Sequence, residues 1–594
     1  MSLDTGTSKQ GFLSLDPPTG PFRCHQRRLP ETEKGVLEIE VSFESSSPAV
    51  PRRTHLTWYE SLREIHHKWT PRSGGNRHLD FQDTQPQHFY SRADCSAPVV
   101  CLYKLNGDNT VLFALSDAMH ECRLSIQVTK DERLLCGITL FEEDWDAISN
   151  YSVILRIDYR HLSMQKCLQE CARWWEKSIP GGLGDIPEGA TGPRYNLRGH
   201  LNSFSLPDID RRGSLASNLG IETFSFGAGW PEISCIDPDP SALEDLKSYS
   251  TCLKEKGLKT LVRIQPDKPN PFEISLQNNT LIGARDALGE LIDPNNSLLD
   301  FRYPEMRAKA INACTHLLKY CLLDGLIFCF PEPQGKQASN LSDDPSQDFH
   351  STTEALSKFF IDLRTALRNV HPDVLIEIQQ PTTSPHMLKF ANMARAAYCG
   401  NSFAENRLRI LDIRMLSGRA APHSSPMIWS RSERVESVAT QLTHTLFAVP
   451  QVSENLDALS HEHLRMLRWH LSFWSEHQDV ILHGELNALE PYNGYPQVIA
   501  TNKDKVLVAV YSNSVIQLPR DIPKTILLVN GTFRDHIVLD YEKNSEPYLM
   551  EVRSCTGELQ NQCTFDLKAG LNRINVPING YITLKEQAHE HKET

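Results

Sequence analysis

Three residues in the middle of the chain carry side chains that could act as a nucleophile or a proton donor. Cys329 is the last residue but one of the apolar run DGLIFCF, where it could be a thiolate nucleophile or a small apolar residue packed inside the fold. Glu332 follows in a polar loop, where it could supply a carboxylate or remain a solvated charge. Tyr398 could donate a proton only if its surroundings changed a pKa that is ordinarily near 10, and otherwise it stacks or fills space.

A second group of residues lies at the ends of apolar runs or beside them, where side chains could line a ligand pocket. These candidate ligand-binding residues are Trp230, Asp267, Lys268, Glu377, Gln379, Asn401 and His423. Trp230 could stack on a sugar ring or on any flat apolar ligand, or it could pack at the rim of the fold. For Asp267, Glu377 and His423 the residues leave two roles open, contact with a ligand or hydrogen bonds that hold other side chains.

These side chains need strands that bring distant parts of the chain together. Between residues 195 and 495, the strand-like runs ETFSFGAGW, KTLVRIQP, DGLIFCF, VLIEIQQ and ILDIRM alternate with helical segments such as EALSKFFIDLRTALRNV. Strand–helix alternation over such a length predicts a (β/α)8 TIM barrel. Active sites of TIM barrels lie at the carboxyl ends of the strands, where several of the candidate residues are found.

The segments on either side of the barrel have the pattern of all-β domains, so we predict a multidomain α/β plus all-β chain. Short β-rich runs such as NTVLFAL and CRLSIQVT predict an N-terminal β-sandwich, and VLVAVYS and TILLVNG predict a small C-terminal antiparallel β-domain. Asn579-Gly580 predicts a hairpin turn. The predicted boundaries are a flexible leader over 1–35, the sandwich with a trailing helix over 36–180, a linker over 181–194, the barrel over 195–495, the C-terminal domain over 496–586 and a polar tail over 587–594.

Charge and composition exclude several classes of partner. The net charge of −13 and the pI of about 6.0 predict no binding to nucleic acid or to anionic membranes. The N-terminus lacks the pattern of a secretory signal, so we expect a cytoplasmic protein with mostly reduced cysteines. Cys167 and Cys171 lie four residues apart, but no second pair of ligands completes a zinc site. We expect neither a metal nor a cofactor.

The barrel segments resemble, in pattern and order, glycoside hydrolase family 36, the α-galactosidases of clan D. LGIETFSFGAGWP is similar to the family's strand that ends in Asp-Asp-Gly-Trp or Asp-Ala-Gly-Trp, and LKEKGLKTLVRIQPDKPNP to the next strand, which usually ends in Pro-Glu-Arg. LLDGLIFCF resembles the strand that carries the nucleophile. The stretch from EIQQP to PMIWS resembles the segment that holds the acid/base, and together these segments span about half of the chain.

The resemblance implies a retaining double displacement. In this chemistry one carboxylate attacks the anomeric carbon and a second protonates the leaving oxygen, with the two carboxyl groups about 5–5.5 Å apart. At the nucleophile position this chain has Cys329, and at the acid/base position it has Tyr398, with Asn401 as the other alignment. None of these is a carboxylate.

The positions that bind the sugar in the family are also changed. Gly227 stands where the resemblance places an Asp, Ile327 where it places a Lys or Arg, and Gln379 where it places an Arg. The Glu-Arg pair of the family is Asp267-Lys268 here. These replacements predict that the scaffold is retained, that the hydrolytic chemistry is removed and that the pocket has lost charge.

Three functions remain open at this point. The first is a degenerate glycosidase that binds a glycoside or oligosaccharide without cleaving it. The second is a repurposed barrel enzyme, in which Cys329, Tyr398 and a carboxylate such as Glu332 or Asp267 do non-glycosidic chemistry on another small molecule. The third is an active α-glycosidase that uses atypical residues. Because members of the family often associate, the resemblance also implies a homo-oligomer.

Overall fold

The computed structural model describes residues 13–16, 20–80, 85–178, 186–199, 203–227, 239–268, 281–282, 298–329, 344–380, 382–399, 402–518 and 522–586. In these residues a β-sandwich precedes a nearly closed parallel barrel of eight strands, and a second β-domain follows it. The predicted fold class is therefore confirmed. No helix in the described ranges is long and apolar enough to cross a lipid bilayer.

The N-terminal domain packs two antiparallel sheets face to face. Its strands are β1 Ser14–Asp16, β2 Arg23–Arg28, β3 Val36–Ala49, β4 Thr54–Ser61, β5 His67–Trp69, β6 Gln87–Ser91, β7 Val99–Tyr103, β8 Asn109–Leu115, β9 Cys122–Val128, β10 Arg133–Leu140 and β11 Ile148–Asp158. The strand orders are β1-β4-β10-β9-β6 and β2-β3-β11-β8-β7-β5. In β9 every second residue is buried, as expected for a strand with one face on the core.

Over the described residues 13–16 and 20–35, the structure differs from the flexible leader predicted over residues 1–35. Strand β1 pairs with β4, and β2 pairs with β3 along six residues. Leu13 and Phe22 are buried in the core between the two sheets. The apolar residues here are few, Phe12, Leu13 and Leu15 and then Phe22, and these runs are too short to show the period of a strand.

The predicted trailing helix is α1, Met164–Ser178, and it lies between the sandwich and the barrel. The Trp175 indole N–H donates to the carbonyl of Leu115 at 2.7 Å. Cys167 and Cys171 are buried free thiols on this helix. After it, a short 3-10 helix, Glu188–Ala190, occupies part of the predicted linker.

The barrel strands are parallel and follow one another around the barrel in chain order. They are β12 Arg194–Leu197, β13 Thr223–Phe226, β14 Lys259–Ile264, β17 Gly325–Cys329, β18 Leu375–Gln379, β19 Met393–Arg395, β20 Ala421–His423 and β21 Gln451–Val452, with a hairpin of β15 Leu281–Ile282 and β16 Leu298–Leu299 between the third and fourth. Strand β21 pairs with β12. A parallel bridge between His423 and Val449 joins the two ends of the sheet, so that the barrel nearly closes.

Helices surround the barrel and connect its strands. They are α2 Leu206–Asn218, α3 Pro240–Lys254, α4 Pro304–Tyr320, α5 Thr352–Val370, α6 Pro385–Leu388, α7 Phe403–Leu416, α8 Val435–His444, α9 His461–Glu476 and α10 Gln478–His483.

The run ILDIRM was predicted as a barrel strand, and this prediction is wrong, because the run lies within α7. The Ser402 side chain caps this helix by accepting a hydrogen bond from the backbone N–H of Glu405. Arg409 donates to Glu405 one turn away. The helix packs against both the barrel and the sandwich, so it is buried almost all round and its sequence has lost the helical alternation of polar and apolar residues.

The C-terminal domain has a seven-stranded and a three-stranded sheet. Its strands are β22 Glu485–Leu489, β23 Gln497–Thr501, β24 Lys505–Val510, β25 Val515–Gln517, β26 Thr525–Asn530, β27 His536–Tyr541, β28 Tyr548–Arg553, β29 Leu559–Phe565, β30 Gly570–Asn575 and β31 Tyr581–Glu586. Most pairs are antiparallel, but β24 with β26 and β25 with β27 are parallel. Asn579 has a positive φ of 54° in a turn, yet the turn joins strands of different sheets and makes no hairpin.

The sandwich and the barrel meet at a buried histidine. The imidazole of His120 lies 2.7 Å from Asp117 of the sandwich and 3.2 Å from Glu354 at the start of α5. Burial by itself lowers the pKa of His120, but the two carboxylates outweigh burial and raise it to about 10. His120 is therefore protonated at neutral pH.

This histidine makes the folded state sensitive to alkali. Its pKa rises from the ordinary value near 6.5 to about 10 on folding, so its contribution to stability is complete below pH 6.5 and is lost as the pH rises toward 10. We expect His120→Gln to cost on the order of 2 kcal/mol at pH 6.5, and much less at pH 10. Urea unfolding at both pH values measures this difference. His25→Gln, at an exposed position, is the control, and an equal pH effect in both variants would contradict the expectation.

Candidate functional site

The interior of the barrel is layered because successive side chains of a strand point to opposite faces. Phe328 faces outward and packs edge-on against Phe360 of α5, with ring centroids 5.6 Å apart. Its neighbours Ile327 and Cys329 therefore face inward. The amino ends of the strands carry an apolar inner layer, which Ala190 covers from below, and its members are Leu261, Ile327, Leu375, Met393 and Ala421.

A buried ion pair lies next to this apolar layer. Arg194 Nη1 donates to Glu377 Oε2, and both side chains are at most 1% exposed. Gln379 Nε2 donates to Glu377 Oε1 at 2.7 Å. Burial by itself raises the pKa of Glu377, but Arg194 and Arg395 lower it to about 2, so the carboxylate is charged at neutral pH. The structure therefore places Glu377 in an ion pair inside the barrel.

Cys329 ends the fourth barrel strand, and its thiol is held between two polar neighbours. The Sγ–H donates to Gln379 Oε1 at 2.8 Å, and Arg263 Nε donates to the sulfur. Burial raises the pKa of this thiol above its ordinary value, and the arginines only partly offset the effect. The thiol is therefore neutral at physiological pH, which disfavours the thiolate nucleophile.

Two arginines line the upper part of the barrel around Cys329. Arg263 lies on the third strand, and Arg395 ends the sixth, where its Nη2 donates to Gln379 Oε1 at 2.9 Å. The expectation that the pocket has lost charge is therefore wrong. Guanidinium groups reach the interior from the third and sixth strands.

His423 ends the seventh strand and is directed away from the carboxyl ends. Its Nε2 donates to the carbonyl of Ala190 at 2.8 Å, below the inner layer, and the residue is 1% exposed. Burial, and then the charge of Arg194, lower its pKa to about 3, so the ring is neutral. Of the two roles left open by the sequence, this geometry favours hydrogen bonding that holds the barrel together.

Neutral polar groups complete the ring of inward-facing residues. Asn196 Nδ2 donates to Gln451 Oε1 at 2.9 Å, and the Ser225 hydroxyl donates to Asn196 Oδ1 at 2.5 Å. These three residues link the eighth, first and second strands. Every strand except the seventh thus places a hydrogen-bonding group in this ring, as suits a ligand rich in hydroxyl groups.

Three of the predicted site residues lie at the rim of the barrel. Asp267 follows the third strand and is 9% exposed, and its Oδ1 has no hydrogen-bond partner among the described residues. Burial, with repulsion from Asp94 of the sandwich, raises its pKa to about 6. Lys268 is exposed, and Tyr398, just beyond the sixth strand, is 59% exposed. Trp230, Glu332 and Asn401 lie outside the described residues.

Sequence reasoning missed the residues that carry most of the charge in this site. They are Arg194, Arg263 and Arg395, joined by the neutral Asn196, Ser225 and Gln451. The available signal was a single polar residue inside an apolar strand, such as the Arg in KTLVRI, since a charge there must face the interior of a closed barrel.

Comparison with solved structures identifies the fold around this site. A variant of the family 36 α-galactosidase AgaA from Geobacillus stearothermophilus, in complex with raffinose, is 13% identical with a TM-score of 0.65, over 93% of this chain and 79% of that one. The α-galactosidase from Lactobacillus brevis is 12% identical with a TM-score of 0.63, over 100% and 90%. A family 31 sulfoquinovosidase from E. rectale is 10% identical with a TM-score of 0.56, over 98% and 93%.

No family model and no curated protein matches the chain. The structural likeness nevertheless extends over nearly the whole chain, including both β-domains. At identities this low, a likeness establishes architecture. The chain therefore has the fold of the glycoside hydrolase family 36 α-galactosidases, as the resemblance of its barrel segments predicted.

Proposed function

We propose that this protein binds a glycoside or oligosaccharide at the carboxyl end of its barrel and does not catalyse retaining hydrolysis. The observation that carries the proposal is the environment of Cys329. Retaining hydrolysis needs two carboxyl groups on either side of the sugar. The residue that ends the fourth strand is instead a buried, neutral thiol, hydrogen-bonded to Gln379.

The surrounding residues support the same conclusion. Tyr398, at the acid/base position, is a phenol that is 59% exposed. Glu377 is engaged by Arg194 and has no accessible surface, so it is not available to attack a substrate. At Gly227, where the family has a sugar-binding Asp, an added Cβ would lie 3.0 Å from the carbonyl oxygen of Leu197, closer than an ordinary contact.

A second candidate function is proton transfer on a non-glycosidic substrate, and Asp267 favours it. A buried carboxyl group with a pKa of about 6 and a free oxygen among the described residues has the properties of a general acid or base. This alternative predicts that simple glycosides neither bind nor stabilise the protein. Cytoplasmic location and homo-oligomer formation stay predictions.

The test is release of p-nitrophenol from p-nitrophenyl α-D-galactoside, measured for the parent protein, Cys329→Ala and Cys329→Asp. We expect no turnover by the parent or by Cys329→Ala. In Cys329→Asp a carboxylate enters the nucleophile position, and we expect a burst of p-nitrophenol of at most one equivalent, because p-nitrophenolate leaves without a proton donor.

Binding is tested separately, by measuring the Tm of the parent protein with and without methyl α-D-galactoside. A ligand that binds only the folded state stabilises it by about 2.7 kcal/mol at 100 times its Kd. A raised Tm without turnover supports the proposal. Turnover by the parent that Cys329→Ala abolishes would show a thiol-dependent glycosidase. Turnover that survives Cys329→Ala would show an active glycosidase with atypical residues. Either form of turnover contradicts the proposal.

A further inference from the structure

The charges inside the barrel do not balance. Three guanidinium groups, those of Arg194, Arg263 and Arg395, face one carboxylate, that of Glu377, among the inward-facing residues that the structure describes. Cys329 and His423 are both neutral at physiological pH. Three positive charges against one negative charge leave an excess of two.

The carboxylate of Glu377 already forms an ion pair with Arg194. Glu377 Oε2 accepts from Arg194, and its other oxygen accepts from Gln379 at 2.7 Å and lies 3.8 Å from Arg395 Nε. Arg395 Nε is buried and has no hydrogen-bond partner in the described part of the chain. The charge of Arg395 is therefore only partly compensated.

Arg263 has no ion-pair partner within the described ranges. Its Nε donates a hydrogen bond to the Cys329 sulfur, which is a weak and neutral acceptor. The residue is half-buried, so its charge has lost part of its water without gaining a counter-ion. Cys329 and Gln379 connect Arg263 to Arg395, which places these two incompletely compensated guanidinium groups on one side of the barrel.

The rim adds to this positive character. Arg198, after the first strand, and Lys268, after the third, are both exposed at the carboxyl ends of the strands. The rim carboxylate of Glu454 accepts from the backbone N–H of Trp429 and of Asn455, so it is occupied elsewhere. Asp267 is influenced by Asp94, and its Oδ1 contacts no cation among the described residues.

We propose that the saccharide bound at the barrel mouth carries an anionic group, a carboxylate, sulfate or phosphate, which Arg263 and Arg395 bind. This inference rests on the proposed function and names the class of ligand. A neutral sugar would hydrogen-bond to the polar ring but would leave the charges of Arg263 and Arg395 without full compensation. Planar guanidinium groups match the oxygens of carboxylate, sulfate and phosphate, and charge-assisted hydrogen bonds are roughly twice as strong as neutral ones.

The experiment compares D-galacturonate with D-galactose by calorimetry at matched ionic strength, using the full-length protein. We expect D-galacturonate to bind at least about tenfold more tightly, and its affinity to fall with added salt. Arg263→Gln should weaken D-galacturonate at least about tenfold, while Arg263→Lys should keep part of the affinity because it keeps the charge. Arg465→Gln, which removes an exposed cation from α9, is the matched control and should change nothing.

The outcomes separate this inference from the proposed function. Equal affinity for both sugars, or an unchanged D-galacturonate affinity in Arg263→Gln, would overturn the anionic ligand while leaving glycoside binding intact. Inorganic phosphate and sulfate form a second arm. If they bind through Arg263 as tightly as D-galacturonate, the anionic site stands and the sugar contributes nothing. Hydrolysis of the p-nitrophenyl substrate would refute the proposed function alone, since the preference for an acidic sugar would still appear as inhibition.

Discussion

Replacement of Asp412 by alanine should lower the free energy of unfolding by about 3–5 kcal/mol, because it leaves a buried guanidinium without its partner. Asp412 lies on α7, and its carboxylate accepts two hydrogen bonds from Arg77 Nη2, at 2.8 and 3.1 Å. The Trp69 indole donates to the same carboxylate at 3.0 Å, and the Tyr495 hydroxyl at 3.1 Å. The Arg77 side chain is only 1% exposed.

The effect should be large because this network joins all three parts of the molecule. Trp69 and Arg77 belong to the N-terminal sandwich, Asp412 to the barrel, and Tyr495 to the connection between β22 and β23 of the C-terminal sheet. Loss of the carboxylate therefore weakens the attachment of both β-domains to the barrel. It also leaves the buried charge of Arg77 without a partner.

Urea unfolding followed by tryptophan fluorescence measures the change, and separate transitions for the domains would reveal their uncoupling. The matched control is Asp362→Ala, which removes an exposed carboxylate from an i,i+4 pair with Lys358 on α5. It should change stability by no more than about 0.5 kcal/mol. If Asp412→Ala matched that control, the network would have no stabilising role. The double variant Arg77→Met with Asp412→Leu should recover much of the lost free energy of unfolding, because it leaves no buried charge without a partner.

Glu377→Gln is expected to have a similarly large effect, again about 3–5 kcal/mol, at nearly constant volume. The variant leaves Arg194 inside the barrel without a negative charge, although both side chains are fully buried. The double variant Arg194→Met with Glu377→Leu should be much closer to the parent in stability, because an apolar pair removes both charges together.

The stabilising effect of Glu377 should decrease at low pH. Folding lowers the pKa of Glu377 from its ordinary value near 4.3 to about 2, so its stabilisation is complete above pH 4.3 and is lost as the pH falls toward 2. The difference in stability between the parent and Glu377→Gln should therefore be constant from pH 5 to 7 and should shrink below pH 4. A difference that stayed constant down to pH 2 would show that the charge of Glu377 is not what stabilises the barrel.

The sequence alone was enough to predict the three-part architecture. Alternation of apolar runs and amphipathic helices is a local property, and it predicted the barrel. The runs that end at Cys329 and Gln379 do form adjacent strands, with these two residues directly paired. The pattern of polar and apolar residues gave a wrong prediction for the run ILDIRM. This run lies in a helix that is buried on nearly every side, so its sequence does not show the helical period.

Only the tertiary structure decided the electrostatics of the site. Arg194 was assigned to a linker by its Gly- and Pro-rich surroundings, yet it pairs with Glu377, 183 residues away. The sequence did not identify Arg263 and Arg395 as site residues, because the role of a charge on a strand can be judged only when its neighbours across the barrel are known. The pattern of hydrophobic residues reports which face of each element is buried, whereas the balance of charge depends on which elements meet. For this reason the residues predicted a site without the family's carboxylates, and only the fold revealed the guanidinium groups of Arg263 and Arg395, whose charges the described residues compensate at most in part.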